Sequence, residues 1–323
     1  VKKVLANAPA AGCDTETLLM RSRISPRLLE EKQARVSAQQ FAKLETITMR
    51  EMSDEMLGYC AKPLQIGHWS ALSHWLIHCK TLGQALKRFC LFYDMLERGL
   101  QVSVCIERDS FTLNFTPWLY EKKPLKPYAY EMFMFNFHRL LRTLTKSNLP
   151  LQKVGLCYPA PDNQSEYRHI FLAAPMVFNA GHSFFKLDRE YLSIPIKLSY
   201  ESLAEFLRNP LYNLLVNPYH SKNWSQKIIE AIGTDLNNIP RFESIADTLN
   251  INTKKLSRLL EQEGLKYSDL KLELRRDVAI DQLSKHNTSV EEIAYMTGFS
   301  ESSAFIRAFK KWTGVTPHTY RKG

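Results

Sequence analysis

The six cysteines of this 323-residue chain form no CxxC pair, and all lie in its first half (Cys13, Cys60, Cys79, Cys90, Cys105 and Cys157). Such irregular spacing argues against a disulfide framework or a clustered zinc site. It suits reduced thiols used as small buried apolar groups. No apolar run reaches the length of a membrane span, and the start, Val1 to Pro9, has two lysines but no leader-like apolar stretch. The expected location is the cytoplasm. Val1 is an unusual first residue, so a few residues are expected to precede it. A nucleophile elbow, a phosphate loop and GxGxxG are all missing. No catalytic residue, cofactor or metal is therefore expected.

What is present is ordinary for a globular chain: 45% hydrophobic and 24% charged residues, enough for a packed core. The net charge of +10 fits a polyanionic partner. It does not say where that partner binds. From Ser221 onward there are 16 Lys+Arg against 13 Asp+Glu, and before it 27 against 20.

The length suggests about two domains. The first, residues 1–210, mixes helical and strand signals and reads as α+β. Helical spacing of apolar residues marks Ser37 to Met49, Trp69 to His78, Leu82 to Leu96, Tyr128 to Leu144 and Leu198 to Leu207. Alternation of Val102, Val104 and Ile106, then Phe111, Leu113 and Phe115, marks two strands around the turn Arg108-Asp109-Ser110. Leu151 to Tyr158, Met176 to Phe178 and Ser183 to Leu187 read as further strands, and Tyr167 to Leu172 as a short helix. Residues 211–223, with Asn217-Pro218, read as a linker. Residues 224–323 read as all-helical, with Gly and Pro only as punctuation (Gly233, Pro240, Gly264, Gly298, Gly314, Pro317).

An internal repeat organises this last part. Ser244 to Ile251 followed by Asn252 to Leu260 is echoed by Glu292 to Phe299 followed by Ser300 to Phe309. Each copy has an Ile-Ala pair, and the small Ala lets a second helix cross it. Four residues on stands Asn250 or Gly298, residue types that tolerate a left-handed turn. The second helices then carry apolar stripes (Leu256, Leu259, Leu260; Phe305, Phe309) opposite basic faces. Tyr267 to Leu283 can be one connecting helix that fixes the spacing of the two units.

The run from Ile293-Ala294 through Gly298-Phe299-Ser300, Ser302 to Lys311, Trp312-Thr313-Gly314-Val315-Thr316-Pro317 and Tyr320-Arg321 resembles the signature of AraC-type regulators. Leu82-Gly83-Gln84-Ala85-Leu86, Glu166-Tyr167-Arg168 and Phe178 resemble the arabinose-binding-like sensor domain of an ornithine-utilisation-regulator-like subgroup. The resemblance implies an α+β sensor followed by two helix-turn-helix units, and a ligand-responsive activator that binds double-stranded promoter DNA. It also implies contact with RNA polymerase and a homodimer. Lys254, Ser257, Arg258, Ser302, Ser303 and Arg307 match base-reading positions; Lys255, Lys310 and Lys311 would hold phosphates. Acidic Glu301 would repel phosphate, and instead caps its helix or accepts from cytosine. Trp312 reads as a core anchor.

For the sensor, Trp69, Trp75, His78 and Tyr93 are candidates to line an effector cavity, although burial alone would explain the aromatics. His74 and His78 share a helix face, but that helix lacks an acidic partner, so they read as structural or pocket-lining histidines. The expected effector is an amino acid or organic acid, with a fatty acid as runner-up. The alternative functional reading is an effector-independent DNA-binding protein. A methyl-accepting repair enzyme would need clustered cysteines, which the spacing does not supply.

Overall fold

The structure, a computed structural model, describes residues 1–31, 34–121, 124–216, 224–263, 265–285 and 287–321. The chain divides into two compact units. One holds Lys3–Cys13 and Glu45–Ser221; the other holds Val1–Lys2, Asp14–Leu44 and Lys222–Gly323. The second unit is thus not the carboxy-terminal segment alone. Among the described residues no helix is long and apolar enough to cross a membrane.

The first unit is α+β. Its five-stranded sheet comprises β1 (Gln101–Ile106), β2 (Ser110–Thr116), β3 (Lys153–Gly155), β4 (Met176–Val177) and β5 (Ser183–Asp188), in the order β1-β2-β5-β3-β4. All pairs are antiparallel except β3 with β4. Phe111, Leu113 and Phe115 face inward, opposite Leu187, Phe185 and Ser183. The sequence expects the same inward face from Val102, Val104 and Ile106, yet only Val102 is fully buried and Ile106 is exposed. The strand β1 lies at the sheet edge, so alternation sets a face that the core only partly covers. Likewise the strand expected over Leu151 to Tyr158 shortens to three residues.

Helix Pro127–Thr145 supplies most of the core beside this sheet. Phe137 meets Phe115 at 5.5 Å and Phe89 of helix Leu82–Leu96 at 4.2 Å between ring centroids. Three basic side chains of the same helix are buried: His138, Arg139 and Arg142. Burial pushes the His138 imidazole down to about 3, so it is neutral, and its Nε2 hydrogen-bonds the Leu149 carbonyl at 2.8 Å. Arg142 sits in the last turn, where the helix carbonyls favour a cation. Helix Pro210–Leu215 runs into the expected linker, with Pro at its first position. Asn217-Pro218 and the rest of that segment to residue 223 lie outside the described residues, as does Gly264.

The second unit is helical. Trp224–Ile232, Phe242–Thr248 and Thr253–Gln262 surround a core of Ile228, Ile232, Ile245, Ala246, Leu256 and Leu260. The single connecting helix Tyr267–Lys285 packs against this group and against Val290–Met296, Ser302–Thr313 and Pro317–Arg321. Asp14–Leu44 belongs to the same unit. Ser37 and Gln40 form a reciprocal cap at the start of helix Ala38–Met52, at 3.0 and 3.1 Å. The buried Tyr320 hydroxyl lies 3.1 Å from Gln40 Oε1 and 3.0 Å from the Arg35 carbonyl. Its one proton serves both acceptors.

Candidate DNA-reading surface and sensor cavity

Both turns of the repeat are left-handed where the sequence requires it, at Asn250 (φ 51°) and Gly298 (φ 79°). The Ile-Ala pairs are fully packed, with Ala246 and Ala294 buried under the crossing helices. In the first crossing helix, Asn252 caps the amino end by accepting from the amides of Lys254 (2.9 Å) and Lys255 (3.4 Å). Leu256 and Leu260 then face the core, while Lys254, Lys255 and Arg258 are exposed. Leu259, expected inward, is only half-buried. It lies about 60° round the helix axis from Leu256 and about 100° from Leu260, which leaves it at the rim of the buried stripe.

The second crossing helix repeats the design. Phe305 and Phe309 are fully buried; Ser303, Arg307, Lys310 and Lys311 are exposed, and Ser302 is half-buried. Glu301 occupies the N-cap position without bonding any helix amide. It accepts instead from the Ser303 hydroxyl at 3.2 Å. In the first copy Ser257 donates to Glu261 at 3.1 Å. Two of the three candidate serines, Ser257 and Ser303, therefore already have a carboxylate partner, which the sequence does not foretell. Trp312 is half-buried against Phe299, 5.9 Å between rings, in the manner of an anchor.

The first unit contains a cavity of about 250 Å³. Met49, Met56, Leu64, Tyr93, Met132, Phe133 and Leu207 form its apolar walls. Two of the aromatic candidates, Trp69 and Tyr93, line it; Trp75 and His78 do not. Trp75 packs beneath the guanidinium of Arg88, 5.6 Å from its ring, and His78 is exposed. The helix start explains the split. Trp69 is in the first turn of His68–Leu76, whereas Trp75 lies in the last.

The polar lining was not legible in the sequence. It includes Arg50, Glu55, Asn136 and Arg208, drawn from separate elements, with Thr46, Ser70 and Asn209 beside them. The Glu55 carboxylate accepts from the amides of Gly67 (2.7 Å) and Trp69 (3.0 Å), capping the helix from outside it. Burial nevertheless raises its carboxyl pKa. The Trp69 indole N–H is buried and has no acceptor among the described residues. Among those residues there is also no group of three or more His, Cys, Asp or Glu that could hold a metal ion.

Two crossing-helix units with exposed basic faces, joined by one helix and accompanied by an α+β unit with a cavity, define a two-part DNA-binding regulator. Residues 12–196 match the arabinose-binding domain of AraC transcription regulator, N-terminal, and residues 245–323 match a helix-turn-helix domain. The chain belongs to the AraC family of transcription regulators. It is similar to the ornithine utilization regulator of Pseudomonas aeruginosa, at 23% identity over 96% of this chain and 91% of that one. The regulator VirS of Mycobacterium tuberculosis is 39% identical over 79 residues, 24% of this chain and 23% of its own length. Among solved structures, the transcriptional regulator CdpR from Pseudomonas aeruginosa aligns over 95% of this chain and 96% of its own, with 20% identity and a TM-score of 0.36. Membership of that family makes the chain a DNA-binding transcriptional regulator with a ligand-binding sensor domain.

Proposed function

We propose that this regulator is an activator that binds promoter DNA through both crossing helices and responds to a small organic acid held in the sensor cavity. The observation that carries the DNA half is the repeated outward display of Arg258 and Arg307 opposite buried Leu256/Leu260 and Phe305/Phe309. Arg258 and Arg307 read guanine edges, with Lys254, Ser257, Ser302 and Ser303 beside them. Lys255, Lys310 and Lys311 hold phosphates and set register.

The effector half rests on the cavity. Arg50 and Arg208 offer guanidinium groups for a carboxylate, and the indole N–H of Trp69 offers a neutral donor. Both Glu55 oxygens already accept backbone amides, which leaves a poor partner for a ligand ammonium. This favours an organic acid over an amino acid. The volume lies below the ~300–1,000 Å³ of common ligand sites, which disfavours a long fatty acid. Family resemblance extends the reading to a homodimer that touches RNA polymerase from a cytoplasmic promoter.

Genome-wide binding of the tagged protein, paired with transcript profiling of a deletion strain, tests this. The expected result is a few sharp sites upstream of genes whose transcripts fall on deletion. Diffuse binding with scattered small changes would replace the reading with an effector-independent one.

A further inference from the structure

We infer that Ile306 reads the methyl group of a thymine in the operator. The inference rests on the proposed entry of helix Ser302–Thr313 into the major groove. Ile306 is a large apolar side chain left 36% exposed on that helix. It follows Ser303 by three residues and precedes Arg307 by one, so it lies about 60° and 100° from them around the axis. Ser303 and Arg307 stand on the face opposite buried Phe305 and Phe309; Ile306 stands at the edge of that face, about 60° round the axis from Phe309 and about 100° from Phe305, and remains exposed.

The fold does not demand this residue. At the offset that pairs Arg258 with Arg307, the first copy carries Ser257. An exposed β-branched side chain gives no helix-forming advantage either. Its fit is to a ligand: thymine is the one base that presents an apolar group, its 5-methyl, in the major groove. The flanking Lys310 and Arg307 would hold the backbone and a neighbouring base while Ile306 covers that methyl.

The test starts from the operator that the full chain selects in vitro from random duplexes. Each thymine is then replaced singly by deoxyuridine, which removes only the methyl, and Kd is measured. One replacement under the second helix should weaken the wild type about fourfold, the equivalent of one buried methylene. The same replacement should leave Ile306→Ser unchanged, and that variant copies the first repeat and should fold. If no replacement matters, or the penalty persists in Ile306→Ser, the assignment is overturned. Arg307→Ala on the same operator separates the two levels. Unchanged affinity and base preference there would remove the helix from the groove, and Ile306 with it. A loss there alongside silent deoxyuridine would remove only Ile306.

Discussion

Gly298 lies against the carbonyl oxygen of Leu236: a Cβ built on Gly298 would stand 2.5 Å from that oxygen and 2.8 Å from Nη2 of Arg275. The same Arg275 nitrogen donates to the Leu236 carbonyl at 3.4 Å, and its guanidinium lies over the Phe299 ring at 5.8 Å. One crowded point therefore ties the loop after helix Trp224–Ile232, the connecting helix and the second turn together. It fixes how the second unit is held on the connector.

Gly298→Ala should accordingly destabilise the helical unit by about 2 kcal/mol or more, from a left-handed backbone and an unrelieved clash with main chain. Asn250→Gly, at the other left-handed turn, should cost almost nothing or stabilise slightly. Thermal unfolding of the full chain followed by helical circular dichroism distinguishes the two. A loss of only about 1 kcal/mol for Gly298→Ala, the cost of the left-handed backbone by itself, would show that φ alone matters there.

Arg307→Ala should cost about 1–3 kcal/mol of operator binding and relax preference at one base pair. Lys310→Ala should weaken all sequences alike and reduce the salt slope by about one. Titrations against the operator and a scrambled duplex at several salt concentrations read both. A uniform loss for Arg307→Ala would reassign it to phosphate.

The helical half was largely legible because its logic is local. Ile-Ala pairs and left-handed turns recur at an offset of 48 residues and apolar stripes at 49, the second turn taking up the extra residue, and Tyr267–Lys285 follows from one uninterrupted pattern. The serines' carboxylate partners were not legible, since rotamer choice among short polar side chains leaves no periodic trace. Nor was the inclusion of Asp14–Leu44 in the helical unit, because Tyr320 meets Gln40 across 280 residues. The sensor cavity was half legible. Trp69 and Tyr93 advertise themselves as aromatics, but Arg50 and Arg208 look like any surface arginine until the fold brings both to the cavity.

In a panel of small aliphatic and aromatic monocarboxylates, at least one should raise the unfolding temperature of the full chain. Saturating it at about 100 times Kd adds about 2.7 kcal/mol. Arg50→Gln or Arg208→Gln should weaken that ligand roughly tenfold or more, the loss of a charge-assisted hydrogen bond. Calorimetric titration checks the affinity. Stabilisation by amines alone, or indifference to both arginine changes, would remove the organic-acid assignment.

Glu45 gives a pH signature for the sensor unit. Burial pushes its carboxyl from 4.5 to about 7, opposed by a hydrogen bond from the Tyr128 hydroxyl at 3.4 Å. The folded chain thus holds a proton that the unfolded chain releases near pH 4.5. Where the native state binds more protons, stability falls as pH rises. The contribution is intact below about pH 4.5, declines up to about pH 7 and is constant above it. Glu45→Gln keeps the shape and removes the titration. Relative to wild type, the variant should gain stability progressively across that window, reaching a few kcal/mol at pH 8, and should show no gain at pH 4. Using the difference between the two proteins cancels His138, whose buried neutral ring acts in the opposite sense on acidification. Urea unfolding at a series of pH values reads the difference directly. A pH-independent offset would mean that Glu45 is ionised in the fold, and that the Tyr128 hydroxyl stabilises its charge more than burial opposes it.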